Sequence, residues 1–268
     1  MAAIGLLALL LPPLRDDFKE MGDGTRLAAW LDFAEKLPPV ALSILGEAQI
    51  HQTEWGAFHP KAVAAALVIR TVSNFRGVVA LARARQVVEA RVLTRCCIEN
   101  TFYLTELNAR GAAFMREMFA DARKSHTRLS ELYLCDGSTL DAPVKDQLRT
   151  LLRELNRGEP EAKFLNITAL ARRGFLAKLE AFYRMLSGDA AHPTIPSLNR
   201  YIRRFSEEAK VSLVANPVIN DSELSQTLSW ACMGMISACV AFNEGVGGTP
   251  AGEELPAIED QWQALVEM

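Results

Sequence analysis

The stretch QVVEARVLTRCCIENTFYLTELN, residues 86–108, decides the fold. Val88, Val92, Cys96 and Tyr103 recur at spacings that bring them onto one stripe of a helix, where a strand would alternate every second residue. Residues 61–83 repeat the pattern, and Gly111 breaks it. Working outward, residues 25–37 read as a short helix stopped by Pro38-Pro39, and residues 40–52 as a second. A helix over 114–134 is followed by a turn at Asp136-Gly137-Ser138. Asp141 caps a helix over 142–156, with Pro143 in its first turn.

After the loop Gly158-Glu159-Pro160, Asn166 is placed to cap a helix reaching Leu186. The stripe of that helix is Ile167, Leu170, Phe175, Leu179, Phe182 and Leu186, and Gly188 fits the position just past its end. His192-Pro193 and Ile195-Pro196 favour extended backbone. Residues 197–210 read as a short helix and 211–219 as strand or loop. A last helix, capped by Asp221, runs to Asn243 with Leu224, Leu228, Ala231, Met235, Ala238 and Phe242 inward. Alternating βαβ signals are absent, and Gly245-Val246-Gly247-Gly248 follows a helix, so no phosphate loop is read there. The expectation is an all-α, multi-helix bundle in three parts: an N-terminal helical segment (1–60), a bundle core (61–244) and an acidic tail (245–268) with room for a short helix around Trp262.

The net charge of −3 hides a partition along the chain. Residues 61–130 carry 12 basic and 5 acidic side chains, and residues 163–204 carry 8 and 2, whereas residues 211–268 have 8 acids and no Lys or Arg. Such segments either form solvated faces or give a local positive surface for RNA or a nucleotide. The 5 cysteines, Cys96, Cys97, Cys135, Cys232 and Cys239, show no metal-ligand spacing and read as thiols of a reducing, cytoplasmic compartment. Met1–Leu14 is apolar but lacks the basic start of an export signal and is too short to span a bilayer. The uncharged run Trp230–Phe242 has the length of a buried core helix, so neither export nor a membrane span is expected.

Two segments carry polar groups where an apolar stripe is expected. Arg95 and Glu99, four apart, share a helix face, and burying them costs several kcal/mol unless they are paired. They are a structural ion pair or part of a site. The second segment runs from Tyr183 through Arg184, Ser187 and Asp189 to His192-Pro193. Here Asp189 is near enough in sequence to orient His192, an imidazole that titrates near neutrality and can move protons. The other reading has these side chains closing the helix end. Because each segment needs partners, the two are expected to converge. Glu47, His51 and Glu54 share a face but lack a fourth metal ligand, and Arg123–Arg128 is a basic cluster or a solvated turn. No metal or cofactor is expected.

Arg-x3-Glu on one helix followed by Tyr-Arg-x2-Ser-x4-His-Pro on a later one resembles a family of uncharacterised bacterial helical proteins, a domain of unknown function, over roughly residues 61–204. That family looks distantly related to the HEPN superfamily (higher eukaryotes and prokaryotes nucleotide-binding). The resemblance implies a helical bundle core with extra helices at both ends, often dimeric. In its catalytic members it implies metal-independent RNA cleavage, in toxin or phage-defence systems, by an Arg-x4–6-His motif with a polar residue after the arginine. On that pattern Arg184 and His192 would be catalytic, with Asp189 orienting His192. This chain has seven residues between Arg184 and His192, Met185 after the arginine, and Pro193 ending the helix. The expectation is therefore a non-catalytic binding module, a homodimer being one form of it, with a HEPN-like nuclease as the alternative.

Overall fold

The computed structural model describes residues 23–50, 58–135, 139–155, 157, 164–173, 177–190, 194–205 and 210–268. Among them the chain is an all-α bundle with one small β-hairpin. The helices are α1 (Asp23–Glu47), α2 (Pro60–Arg83), α3 (Val87–Arg110), α4 (Ala112–Leu134), α5 (Ala142–Leu155), α6 (Ile167–Arg173), α7 (Ala177–Ala190), α8 (Ile195–Leu198), α9 (Asp221–Val246) and α10 (Leu255–Glu267). Strands β1 (Ile202–Phe205) and β2 (Lys210–Leu213) pair antiparallel, Ile202 opposite Leu213.

Helix α9 is the axis of the bundle. Nearly every residue from Leu224 to Phe242 is buried, and α1, α2, α3 and α10 pack around it. Its small residues permit close approach: a Cβ on Gly234 would sit 3.3 Å from Ile98 Cγ1 and 3.5 Å from the Ile98 backbone nitrogen. Thr101 Oγ1 donates to Gly234 O at 3.0 Å, closing the α3–α9 contact with a hydrogen bond. On the other side of α3, buried Asn100 donates to Thr71 Oγ1 of α2 at 3.1 Å. Both polar groups are satisfied across helix interfaces, as burial requires.

Two described helices, α2 and α9, are long and apolar enough to cross a membrane. The most apolar window of α9 is 89% buried inside the protein and that of α2 is 39% buried. For α9 the apolarity is therefore spent on the core.

Several boundaries differ from the sequence reading. Residues 25–37 and 40–47 form one helix, α1, which runs through Pro38 and Pro39. The stripe Leu27, Trp30, Ala34, Leu37, Ala41 and Ile44 keeps helical spacing across the prolines and is buried on both sides of them, so packing on α9 overrides the two missing N–H groups. Gly188 lies inside α7 instead of past its end. The helix expected over 197–210 is only α8 and a 3-10 turn (Asn199–Tyr201), and β1 falls outside the window where a strand was expected. Strand pairing is the reason: IRRF has a cross-strand partner in KVSL that a helix would lack. The cap of α9 is Asn220, whose side chain accepts from Glu223 N, so Asp221 is the first helical residue. Val92 is half exposed, because the core face of α3 is centred instead on Ala90, Thr94, Cys97, Ile98 and Thr101. At the C-terminus α10 docks on α9, and buried Trp262 donates to Ser229 O at 3.2 Å. The expected break at Gly111 and the expected cap at Asn166 are present: Gly111 separates α3 from α4 at φ +48, and Asn166 Oδ1 accepts from Ala169 N at 3.1 Å. The turn at 136–138 and the loop at 158–160 lie outside the described residues.

Candidate functional site: a polar seam between α3 and α7

Residues 91, 95 and 99 are spaced by four, so they form one row along α3. The packed partner is α7, and residues 183, 187 and 189 meet that row in reverse order. Arg95 is the centre. Its Nε donates to Ser187 Oγ at 2.9 Å and its Nη2 to Tyr183 Oη at 2.6 Å. The guanidinium carbon lies 4.7 Å from the centre of the Tyr183 ring, and Nη2 is 3.4 Å from Glu99 Oε2. Tyr183 Oη donates onward to Glu99 Oε2 at 3.3 Å, and Ser187 Oγ donates to Tyr183 O at 2.7 Å. All four members of the expected cluster are therefore brought together, with the side chains of Arg95 and Glu99 26% and 30% exposed.

One turn earlier on α3, Arg91 opens a second set. It pairs with Asp189 of α7 and, at 3.1 Å, with Glu223 of α9, and its Nε donates to Thr227 Oγ1 at 3.3 Å. Arg200, in the 3-10 turn before β1, closes the ring on Asp189 (3.2 Å) and Glu223 (3.1 Å). Two arginines and two carboxylates thus alternate in a largely buried ring that ties α3, α7, α9 and the start of the β-hairpin together. Together with Arg95 and Glu99 the seam holds three cations and three anions, leaving no net charge to attract a phosphate.

Two of the three residues read as catalytic, Arg184 and Asp189, take different partners. Arg184 is exposed on the outer face of α7 and donates from Nε to Glu180 at 2.8 Å; Glu180 also takes Arg172. Asp189 is committed to Arg91 and Arg200. His192 lies outside the described residues. Arg91, Arg200, Glu223 and Thr227 were missed by sequence reasoning. Arg91 had a signal, its place four residues before Arg95, whereas Arg200 and Glu223 had none within a helical turn.

The rim of the seam is shaped by burial. Burial pushes the Tyr183 hydroxyl above its ordinary range and the Glu99 carboxylate adds to this, while Arg95 works against it. Tyr103, one turn beyond Glu99, is pushed up to about 12 by burial and by Asp121, Glu99 and Tyr183. Burial and the Glu99 charge raise the Cys96 thiol against the pull of Arg95 and Arg70, which keeps it a poor nucleophile.

Among the described residues no group of three His, Cys, Asp or Glu is placed to hold a metal. Glu47 accepts Ala251 N at 2.6 Å, and His51 and Glu54 lie outside the described residues. Of the basic cluster on α4, His126 and Arg128 are exposed.

Fold and seam together define a helical bundle in which the arginines and carboxylates of one interhelical seam are paired with one another. The chain belongs to the family of unknown function DUF5677, whose model matches residues 61–209, from the start of α2 to the β-hairpin. No curated protein and no solved structure matches the chain at a significant level.

Proposed function

We propose that this chain is a non-catalytic binding module on a HEPN-like helical scaffold, in which the α3–α7 seam is a structural lock and contact with a partner is made elsewhere. The observation that carries the reading is the state of Arg95. Its Nε and Nη2 are used by Ser187, Tyr183 and Glu99, and its flat face by the Tyr183 ring. A group that stabilises a transferring phosphate needs donors aimed at an open position. Arg95 aims its fork at the neighbouring helix, and the neutral seam offers no surplus charge.

The partner surface on this reading is the α4–α5 hairpin. No described side chain of α5 is buried, and Phe119, Leu129, Leu132 and Tyr133 of α4 are all 40% exposed or more. Side chains of this kind, clustered and exposed, mark protein contacts more often than chemistry.

An RNA-cleavage assay on the purified full chain, with and without chelator, tests the reading. The expected result is no cleavage above background. Chelator-resistant cleavage that disappears in His192→Ala, with the circular dichroism spectrum intact, would overturn it in favour of a HEPN-like endoribonuclease.

A second reading, polyanion binding without cleavage, has one observation in its favour. Helix α2 carries Lys61, Arg70, Arg76 and Arg83 and no acid, and Arg70 and Arg76 are exposed. Binding of a single-stranded RNA that weakens steeply with salt and is lost in the Arg70→Gln, Arg76→Gln double variant would establish it.

A further inference from the structure

The two strands of the β-hairpin differ in what their outer edges offer, and the alternation of the ladder shows how. Val214 N donates to Tyr201 O at 2.9 Å, next to the register position that sets Ile202 opposite Leu213. In an antiparallel ladder, hydrogen-bonded pairs alternate with pairs whose N–H and C=O point outward. The pairs 203/212 and 205/210 are therefore bonded across the hairpin. Ile202 and Arg204 turn their backbone groups away from β2, and Val211 and Leu213 turn theirs away from β1.

On the β1 side the outward N–H of Ile202 donates to Asn199 O of the 3-10 turn, so that edge is partly used. On the β2 side no described residue takes the N–H or C=O of Val211 or Leu213, and the sheet ends there at two strands. The edge of β2 thus presents two donors and two acceptors at alternate residues, a pattern that another strand completes. The base of the hairpin is fixed, because Arg200, just before β1, is held by Asp189 and Glu223. The open edge therefore projects from a set point on the bundle.

The residues around this edge say what the added strand carries. Ile195, Leu213 and Val218, 74%, 83% and 90% exposed, are the most exposed large apolar residues among those described, and all three lie between α7 and α9. Leu213 has Ile202 directly opposite it across the hairpin, where cross-strand side chains sit close. Its other flank is the place that a residue of a third strand would take. The strand sequences IRRF and KVSL hold three cations and no acid. A strand laid along β2 gains from apolar residues at every second position, which cover Leu213, and from acidic residues between them.

We propose that the outer edge of β2 is a docking site for an extended segment of another protein in which apolar and acidic residues alternate, the segment pairing with Val211 and Leu213 as a third strand. This rests on the reading of the chain as a binding module and gives it a second contact with a partner of stated chemistry. Main-chain hydrogen bonds supply affinity that any extended chain can make, and the contacts with Leu213 and with the cations of the hairpin choose among sequences. A hairpin of two strands is marginal by itself, so the added strand also stabilises the site that receives it.

Fluorescence anisotropy of labelled peptides with the full chain tests this. The probes are a peptide of alternating valine and glutamate about eight residues long, within the ordinary length of a strand, the same peptide with lysine for glutamate, and the first peptide methylated on every peptide nitrogen. The expected result is saturable binding of the acidic peptide, with each of the other two at least about tenfold weaker. On the protein, Leu213→Pro removes an outward N–H without touching a bond to β1, and should weaken binding at least about tenfold and more than Leu213→Ala does. Val211→Pro removes the other outward N–H; where one proline variant alters the melting curve, the second variant and the methylated peptide decide. No binding of the acidic peptide up to several hundred micromolar, equal binding of the lysine or the methylated peptide, or folded proline variants that bind as well as wild type would overturn the proposal. So would an edge that pairs with its own copy, seen as a dimer that Leu213→Pro abolishes. The outcome is separable from the cleavage test: a chain that leaves RNA intact and binds no peptide sinks the strand site and spares the binding-module reading, and a chain that binds the peptide and cleaves RNA does the reverse.

Discussion

Replacing Arg95 by methionine keeps an unbranched apolar stem, two atoms shorter, and removes the charge and the five donors. In the folded protein three things are lost: the hydrogen bonds to Ser187 and Tyr183, the ion pair with Glu99 and the stacking on Tyr183. A hydrogen bond from a charged group contributes about 1.5–3 kcal/mol when buried; with Arg95 26% exposed, about 1 kcal/mol each is the working figure. The partly exposed ion pair adds at most about 1 kcal/mol and the cation–π contact about 0.5–1 kcal/mol. Methionine recovers some packing on the ring, so the expected net loss is about 2–3 kcal/mol. For a chain of this size that corresponds to a fall in Tm of roughly 5–10 °C. Urea denaturation followed by circular dichroism measures the loss directly. Arg95→Lys should recover less than half of it, because an ammonium cannot hold Ser187 and Tyr183 at the spacing of a guanidinium fork. In a double-mutant cycle with Tyr183→Phe the two changes should couple by about 1 kcal/mol or more. Arg95→Met as stable as wild type, or more stable, would refute the reasoning: the seam would then be strained for some purpose other than holding the helices together.

Asp189→Asn should cost about 2–4 kcal/mol, since it leaves Arg91 and Arg200, 13% and 17% exposed, facing each other across a neutral amide. Arg184→Ala, which removes an exposed arginine paired with Glu180 among the described residues, should stay within about 0.5 kcal/mol of wild type; denaturation midpoints separate the two. Tyr103, ordinarily ionising near 10, is held neutral in the folded state to about 12, so between those values the unfolded chain gives up its proton first and stability declines as pH rises. A near-ultraviolet titration should show a late phenol phase, to which raised Tyr183 also contributes, that Tyr103→Phe reduces, and full ionisation by the ordinary value would contradict the burial argument. All five cysteines are free. Burial pushes the thiols of Cys97, Cys232 and Cys239 up, so a brief alkylation of the native protein should label exposed Cys135, with Cys96 slower and those three only after unfolding, as read by mass spectrometry.

Much of the candidate site was legible before any coordinates. Arg95 and Glu99 stood on a helix that otherwise reads as core, and so did Tyr183 and Ser187. The cost of burying such groups alone forced the inference that they meet, and they do. Less legible was their purpose. An arginine, an aspartate and a histidine close in sequence suggested proton-transfer chemistry, yet Arg184 and Asp189 point to different partners, because neighbours on a helix other than those three or four apart face different ways.

The sequence by itself determined the helices α2 to α5 and α9 and the innermost run. Periodicity, the cap at Asn166 and the break at Gly111 are signals complete within one or two turns, and the uncharged run from Trp230 to Phe242 could only be core. The tertiary structure alone decided that α1 continues through Pro38 and Pro39, that Ile202–Phe205 pairs as a strand, and that Asp189 is shared by Arg91 and Arg200 and linked through them to Glu223. Each of these is settled by a partner distant along the chain. Packing on α9 outweighs a local proline penalty, and a carboxylate takes whichever guanidinium the fold brings within reach, which no window of local sequence can specify.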